Sequence, residues 1–287
     1  MKILLTGGTG YLGSYLLQKM ILLGHDVTVI KRSGSDLSRV QSFLESCKFI
    51  DVDNDGWPTI FNENSFYDMV IHAATSYGRQ ENDLEVFNSN LLFAITLLYY
   101  SRLYKVKKFI NLDTALAKNT NAYSLSKKQF VEWGQFYAAT NGINFLNVIL
   151  EHFFGPHEDK SKFISHIISK CLNNEDIPLT VGEQKRDFLF VEDMVDAIML
   201  TLQMPLNDSF TEIEIGSGEA ISINEIVEKI YRLTGSKSQL LFGQLPYRKN
   251  EVMLSVADTK KLKELGWIAR RNLDEALEYT IQEEKKI

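Results

Sequence analysis

The chain has 287 residues, 45% of them apolar and 24% charged, with a net charge of −6. That is enough material for one large domain or two modest ones, and an acidic balance with no basic block argues against nucleic acid as a partner. Its two cysteines, Cys47 and Cys171, stand in no metal-ligand spacing, so the expectation is no metal and a reduced, cytoplasmic setting.

The N-terminal apolar run meets glycine by residue 7, too early for a signal peptide. The longest apolar run, Leu91 to Tyr100, is broken by Thr96 and too short to span a bilayer, so no membrane association is expected.

Residues 2 to 6 read as a buried strand, followed by Gly7-Gly8-Thr9-Gly10-Tyr11-Leu12-Gly13 and an apolar-periodic helix through Tyr15, Leu16, Leu17, Met20 and Ile21. Strand, glycine turn and helix together form a dinucleotide-binding unit. Gly7 permits the turn, Gly10 lets backbone approach a pyrophosphate, and Gly13 lets helix and strand pack. The phosphates then rest on the helix N-terminus, with Tyr11 and Leu12 in its first turn.

Val27 to Ile30 is the second strand, ending in Lys31-Arg32-Ser33 with no carboxylate. An NAD site usually presents an acid there for the ribose 2′-hydroxyl, whereas a 2′-phosphate needs a cation. Arg32, helped by Lys31 or Ser33, can clamp that phosphate, which favours NADPH over NAD(H). A third strand, residues 49 to 53, brings Asp53 to where it could accept from the adenine amino group. A fourth, 69 to 74, runs into Ala73 and Ala74, small enough for the cofactor to lie against; His72 beside them reads as a packing residue.

Residues 84 to 104 have the spacing of one long helix, with Asn90 its polar insertion. A fifth strand, 108 to 112, delivers Asp113 and Thr114 at its C-terminal end, where ligands of open α/β sheets bind. The next helix carries Tyr123 and Lys127, spaced to stack on one face. An ammonium there would lower the phenol's pKa and could hold ribose hydroxyls. With Thr114 as a second hydrogen-bonding hydroxyl, the three form a proton-transfer set. Asp113 would alternate to the opposite strand face.

After a sixth strand, 144 to 150, the pattern loosens. The expected fold is α/β, a doubly wound parallel sheet with a small C-terminal substrate-binding lid. Residues 1–150 form the dinucleotide-binding domain and 151–287 mainly the substrate domain, with about 186–216 returning to the sheet.

The glycine loop, His72-Ala73-Ala74, Asn90, Thr114, Tyr123-x-x-x-Lys127, Gly155-Pro156 and Arg186-Asp187-Phe188 fall in the order of a known family. The chain resembles the extended short-chain dehydrogenase/reductases acting on nucleotide sugars, the NAD-dependent epimerase/dehydratase family. The resemblance spans nearly the whole chain and implies a Rossmann-type fold, Thr114, Tyr123 and Lys127 as the catalytic trio, and Asn90 as a structural or water-holding residue at the cofactor.

Within the family, Leu150-Glu151-His152-Phe153-Phe154-Gly155, Leu179-Thr180, Gly182, the segment Gly216 to Ile223 and Asn250-Glu251-Val252-Met253 resemble the CDP-paratose and CDP-abequose synthases. The short interval from Thr114 to Tyr123 and the glycine-rich segment are more similar to the paratose enzymes. That resemblance implies NADPH-dependent reduction of CDP-4-keto-3,6-dideoxyglucose for surface-polysaccharide (O-antigen lipopolysaccharide) biosynthesis. Arg186 and Arg248 would meet the diphosphate, the alternative for Arg186 being an ion pair with Asp187 or another carboxylate. His152 would meet a sugar oxygen or phosphate, and Tyr77 and Arg79, just past the fourth strand, could line the sugar pocket. Most relatives place asparagine where His152 stands, a departure that weakens a plain epimerase assignment.

Three other readings compete. A 4-epimerase would keep NAD tightly bound. A 4,6-dehydratase would need a carboxylate beside Thr114, where Ala115 stands. A non-catalytic NAD(P)-binding regulator would have little use for Tyr123 and Lys127. The apolar faces of the 84–104 and 123–140 helices point to a homodimer built as a four-helix bundle.

Overall fold

Strands covered on both faces read as near-continuous apolar runs, and Ile3, Leu4 and Leu5 are indeed fully buried. The structure, a computed structural model, describes residues 1–54, 56–62, 66–78, 82–204 and 208–286. In chain order the first elements are β1 (Lys2–Thr6), α1 (Tyr11–Leu22), β2 (Asp26–Lys31), β3 (Lys48–Asp51), β4 (Met69–His72), α2 (Asp83–Val86), α3 (Phe93–Leu103), β5 (Lys108–Thr114), α4 (Ala122–Asn141) and β6 (Asn144–Leu150). There follow β7 (His152–Phe154), α5 (Phe163–Leu172), β8 (Ile177–Pro178), β9 (Lys185–Phe190), α6 (Val191–Leu202) and β10 (Phe210–Ile215). The last are β11 (Ala220–Ser222), α7 (Ile223–Thr234), β12 (Leu240–Leu241), β13 (Leu254–Ser255), α8 (Lys260–Glu264) and α9 (Leu273–Glu284).

Two compact units emerge, one of Met1–Ile149 with Ile198–Ile213, the other of Leu150–Ala197 with the chain from Glu214 onward. The first holds a seven-stranded sheet in the order β10-β6-β5-β4-β1-β2-β3. The pairings β1–β2, β2–β3, β1–β4 and β4–β5 are all parallel. Successive strands run outward from β1 in both directions, so the order reverses between β1 and β4. In such sheets ligands bind beyond the strand ends at that switch. The Rossmann-type doubly wound sheet expected from the sequence is what the chain forms.

The core of this unit centres on Phe109, Phe130 and Phe145, each fully buried, with the Phe109 and Phe145 rings stacked 5.4 Å apart. α4 begins on a capping box, Asn121 Oδ1 accepting from Ser124 N at 2.8 Å while Ser124 Oγ accepts from Asn121 N at 3.2 Å. That reciprocal pair fixes where the helix starts, hence where Tyr123 points.

Two local expectations are corrected. The stretch read as one helix over 84–104 contains a π-helical segment, Phe87–Leu92, between α2 and α3. The wider turn carries Asn90, 1% exposed and turned into the fold. β3 stops at Asp51, leaving Asp53 exposed beyond the strand.

The second unit is organised on β9, which pairs antiparallel with β11 and parallel with β7 and β13. Buried Asp187 holds this sheet's connections, accepting from the amides of Ser217 (2.8 Å), Gly218 (2.9 Å) and Ala257 (3.2 Å). α7 lays Ile223, Ile226, Val227 and Ile230 into the core of this unit. Among the described residues no helix is long and apolar enough to cross a membrane, and no His/Cys/Asp/Glu group could hold a metal ion.

Candidate active site

The loop after β1 is shaped by two close approaches. Gly7 sits at φ +72°, and a Cβ on it would lie 2.6 Å from the amide nitrogen of Ala74. A Cβ on Gly13 would lie 1.9 Å from the Gly7 carbonyl oxygen. Gly10 differs. It caps α1 with extended backbone, is exposed, and a Cβ there would meet only the Gly7 oxygen, at 3.3 Å. Its missing side chain therefore leaves open space at the N-terminus of a 12-residue helix, where amides and dipole favour an anion. The Thr6 hydroxyl fixes the opposite side, accepting from Ala74 N at 3.2 Å and sharing a 2.8 Å hydrogen bond with His72 Nδ1. His72 is 1% exposed among Phe93, Phe109 and Phe130, and burial followed by the Lys127 charge holds its pKa well below the usual imidazole range. It packs, as expected, in its neutral form.

At the end of β2 the candidate cations separate. The Lys31 ammonium is engaged by the Asp51 carboxylate and lies within 3.4 Å of the Arg32 carbonyl. Asp53 accepts from the amide of Ser33 at 2.6 Å, so one of its oxygens shapes the turn. Arg32 is left extended and 69% exposed, its guanidinium 3.5 Å from Glu85 Oε1. Of the basic pair, Arg32 is the more exposed, Lys31 being only 12% exposed.

Thr114 ends β5 and is 8% exposed, its hydroxyl oxygen accepting from Leu116 N at 3.2 Å. Tyr123, partly buried in the first turn of α4, has its ring 4.8 Å from that of Tyr77. Lys127 is 2% exposed, and no acceptor among the described residues takes a hydrogen bond from its ammonium. Asn90 spends its capacity on protein, donating to Ser76 O (2.8 Å) and Ser126 Oγ (3.1 Å) while accepting from Ser76 N (2.7 Å). It ties the segment after β4, which carries Tyr77, to the helix that carries Tyr123. Arg79 lies outside the described residues.

The electrostatics run opposite to the sequence expectation. Burial pushes the Tyr123 phenol well up from its ordinary value, the neighbouring Tyr77 adds to this, Thr114 opposes it by hydrogen bonding, and Asp113 pushes it further up. Burial pushes Lys127 down to about 8, Asp113 partly restoring it and Lys128 lowering it. The phenol is thus held as an acid, one helical turn from a lysine whose pKa burial lowers to about 8. Desolvation outweighs the stabilisation of phenolate by lysine that the four-residue spacing alone suggests.

The remaining candidates belong to the second unit. Arg186 is largely buried and pairs with Glu251 rather than with Asp187; it also donates to the Lys185 carbonyl at 2.8 Å. His152 is partly exposed, its Nδ1 3.4 Å from the Glu151 carboxylate and its ring 5.6 Å from that of Phe188. Arg248 is exposed.

Sequence reasoning passed over Lys128, whose ammonium donates to Asp113 Oδ2 and to the Thr114 carbonyl, each at 2.7 Å. The available signal was a second lysine directly after Lys127 on a helix with a buried face.

A model of the NAD dependent epimerase/dehydratase family matches residues 3–216. Over 284 residues the chain is 31% identical to a CDP-abequose synthase of Salmonella muenchen, covering 96% of this chain and 95% of that protein. It is 32% identical over 278 residues to a CDP-abequose synthase of Salmonella typhimurium, covering 92% of each. Among solved structures, a UDP-glucose 4-epimerase of Thermotoga maritima in complex with UDP-glucose superposes with a TM-score of 0.87 at 24% identity, covering 100% of this chain and 99% of that one. At that identity the likeness concerns the fold.

Proposed function

Because the chain belongs to the NAD dependent epimerase/dehydratase family, we propose that it is an NAD(P)-dependent nucleotide-sugar enzyme, and specifically an NADPH-dependent 4-ketoreductase. The proposed substrate is CDP-4-keto-3,6-dideoxy-D-glucose, reduced to CDP-abequose or its C4 epimer CDP-paratose for surface polysaccharide. The relatives' names support the CDP-linked substrate and make abequose the first product to seek. The short Thr114–Tyr123 interval speaks for paratose.

The residues present fit a dinucleotide. Gly10 leaves open space at the helix N-terminus for a pyrophosphate, and the buried Lys127 ammonium has no acceptor among the described residues, a need that ribose hydroxyls would meet. When bound, reduced nicotinamide supplies hydride to the sugar's C4. The chain's own part is the proton. Tyr123, kept protonated, gives its O–H proton to the nascent alkoxide, a stronger base than phenolate. Thr114 supplies a second hydrogen bond and Lys127 the charge that receives the phenolate. Tyr77 and His152 are the proposed sugar contacts, Arg186 and Arg248 the diphosphate contacts. Arg186 must then share its guanidinium with Glu251.

The observation carrying this reading is geometric: Tyr123 and the buried Lys127 stand one turn apart in α4, and the Thr114 side chain hydrogen-bonds the phenol. A 4-epimerase is the second reading, since curated relatives 25% and 26% identical, matched over 97% and 93% of this chain, are a putative and a named UDP-glucose 4-epimerase. NADPH supplied with a panel of 4-keto-6-deoxy and 4-keto-3,6-dideoxy sugar nucleotides, and NAD supplied with 4-hydroxy sugar nucleotides, separates them. One NADPH consumed per reduced sugar, identified by NMR, supports the reductase; interconversion of C4 epimers without net consumption overturns it.

Homodimerisation belongs to the same proposal. Leu84, Phe87, Leu92, Trp133 and Phe136 are between 42% and 68% exposed on α2, the π-helical segment and α4, an apolar cost that a second copy would relieve. Light scattering reads it directly, with a monomer at micromolar concentration as the contrary result.

A further inference from the structure

Three features of the first unit surround Lys128. Its ammonium donates to Asp113 Oδ2 and to the Thr114 carbonyl, both at 2.7 Å, so one side chain of α4 grips the last two residues of β5. The Asp113 side chain is fully buried, and its Oδ2 also accepts from Asn147 Nδ2 at 3.2 Å. Asn147 in turn is held by Asn111 Nδ2 (2.8 Å) and donates to Glu212 (2.9 Å). The preceding residue of α4, Lys127, lies within the field of the same carboxylate yet is not hydrogen-bonded to it.

A buried carboxylate draws whichever cation can reach it. Two consecutive lysines on one helix compete for Asp113, and the one that wins loses its freedom toward anything else. We propose that Lys128 is a positioning residue for the catalytic trio: by occupying Asp113 and the Thr114 carbonyl, it locks the strand end to the catalytic helix and leaves the Lys127 ammonium free for Tyr123 and the cofactor ribose. The inference rests on the reductase reading for its kinetic consequence, but the clamp itself is a property of the chain.

Among the described residues, the charged and titratable groups that act on Lys127 are His72 from β4, Asp113 from β5 and Lys128 on its own helix, with Tyr123 one turn away. Their signs give opposite consequences for two substitutions. Lys128→Met removes a like charge and leaves Asp113 to favour the Lys127 ammonium, so Lys127 loses its proton at higher pH. Asp113→Asn removes the supporting charge and keeps Lys128, so Lys127 loses its proton at lower pH. Lys128→Arg keeps the clamp and the charge.

The test measures kcat, KM and their pH dependence for the three variants, with NADPH binding followed in parallel by its fluorescence from pH 6.5 to 9.5. Lys128→Met is expected to lose about 10- to 10²-fold in kcat, the scale of a misplaced reacting group, with the sugar-nucleotide KM little changed. Its alkaline limb should move up and that of Asp113→Asn down, in turnover and in binding alike, while Lys128→Arg recovers most of the rate with an unmoved limb. Limbs that stay at the wild-type position in both Lys128→Met and Asp113→Asn, or that move the same way, overturn the proposal even if kcat falls. If the wild-type protein reduces no keto-sugar nucleotide, the reductase reading fails separately, and the limbs of NADPH binding still decide the clamp. Should Lys128→Met not fold, Lys128→Arg and Asp113→Asn retain the contrast of an unmoved and a lowered limb.

Discussion

The ring of Tyr77 lies 4.8 Å from that of Tyr123, inclined at 41°, and is one of the influences that keep the Tyr123 phenol protonated. Tyr77 is 50% exposed on the segment after β4, its ring packed beside that of Tyr123. A sugar ring arriving at Tyr123 would meet Tyr77 as well.

Tyr77→Ala is therefore expected to raise the sugar-nucleotide KM by roughly 2- to 10-fold, the scale of one aromatic contact, with NADPH affinity unchanged. Steady-state kinetics and NADPH titration separate the two. An unaltered KM would remove Tyr77 from the sugar site.

Arg32 is the proposed cation for a 2′-phosphate: it is 69% exposed and only loosely paired with Glu85, at 3.5 Å, whereas Lys31 is 12% exposed and engaged by Asp51. Arg32→Ala should weaken NADPH by roughly 10- to 10²-fold, as loss of a charge-assisted hydrogen bond does, and leave NADH nearly as it was. Calorimetric titration of both cofactors measures the ratio. Equal losses would assign NAD(H) as the natural cofactor.

At Gly10 a Cβ would meet only the Gly7 carbonyl oxygen, at a tight 3.3 Å, so Gly10→Val should still fold, with a modest loss of melting temperature. It should nonetheless lose NADPH affinity by more than about 10²-fold, because the isopropyl group stands where phosphate meets the helix N-terminus. Binding at wild-type strength would move the pyrophosphate elsewhere.

The pH dependence follows from Lys127, whose pKa burial brings down to about 8. Below that value the ammonium is charged and supports the phenolate formed on proton donation; as pH rises through it the charge is lost. Turnover should thus fall on the alkaline side near pH 8, while Tyr123, pushed upward, stays protonated throughout. A profile flat to pH 9.5 would contradict this assignment.

These contrasts show which parts of the chain could be read from residues alone. The sheet, the glycine loop and the Tyr123–Lys127 spacing were legible because each depends on neighbours a few positions apart, through strand and helix periodicity. The pairing of Lys31 with Asp51 spans 20 residues, and that of Arg186 with Glu251 spans 65. No local pattern ranks such partners against a ligand. Asn90 stood out as a polar insertion, yet the π-helical turn that lets it reach both Ser76 and Ser126 is set by the buried partners on either side. The direction of the Tyr123 shift was missed for a similar reason: four-residue spacing reports the lysine, while desolvation reports the whole surrounding fold.

Isotope transfer tests the central chemistry most directly. NADPH deuterated at the transferable C4 position of the nicotinamide, supplied with CDP-4-keto-3,6-dideoxyglucose, should yield a product carrying one deuterium at sugar C4. Tyr123→Phe should slow that transfer by at least about 10²-fold with NADPH still bound. A sugar without deuterium at C4, or a Phe variant as fast as wild type, would contradict the assignment of this phenol as the acid of a 4-ketoreductase.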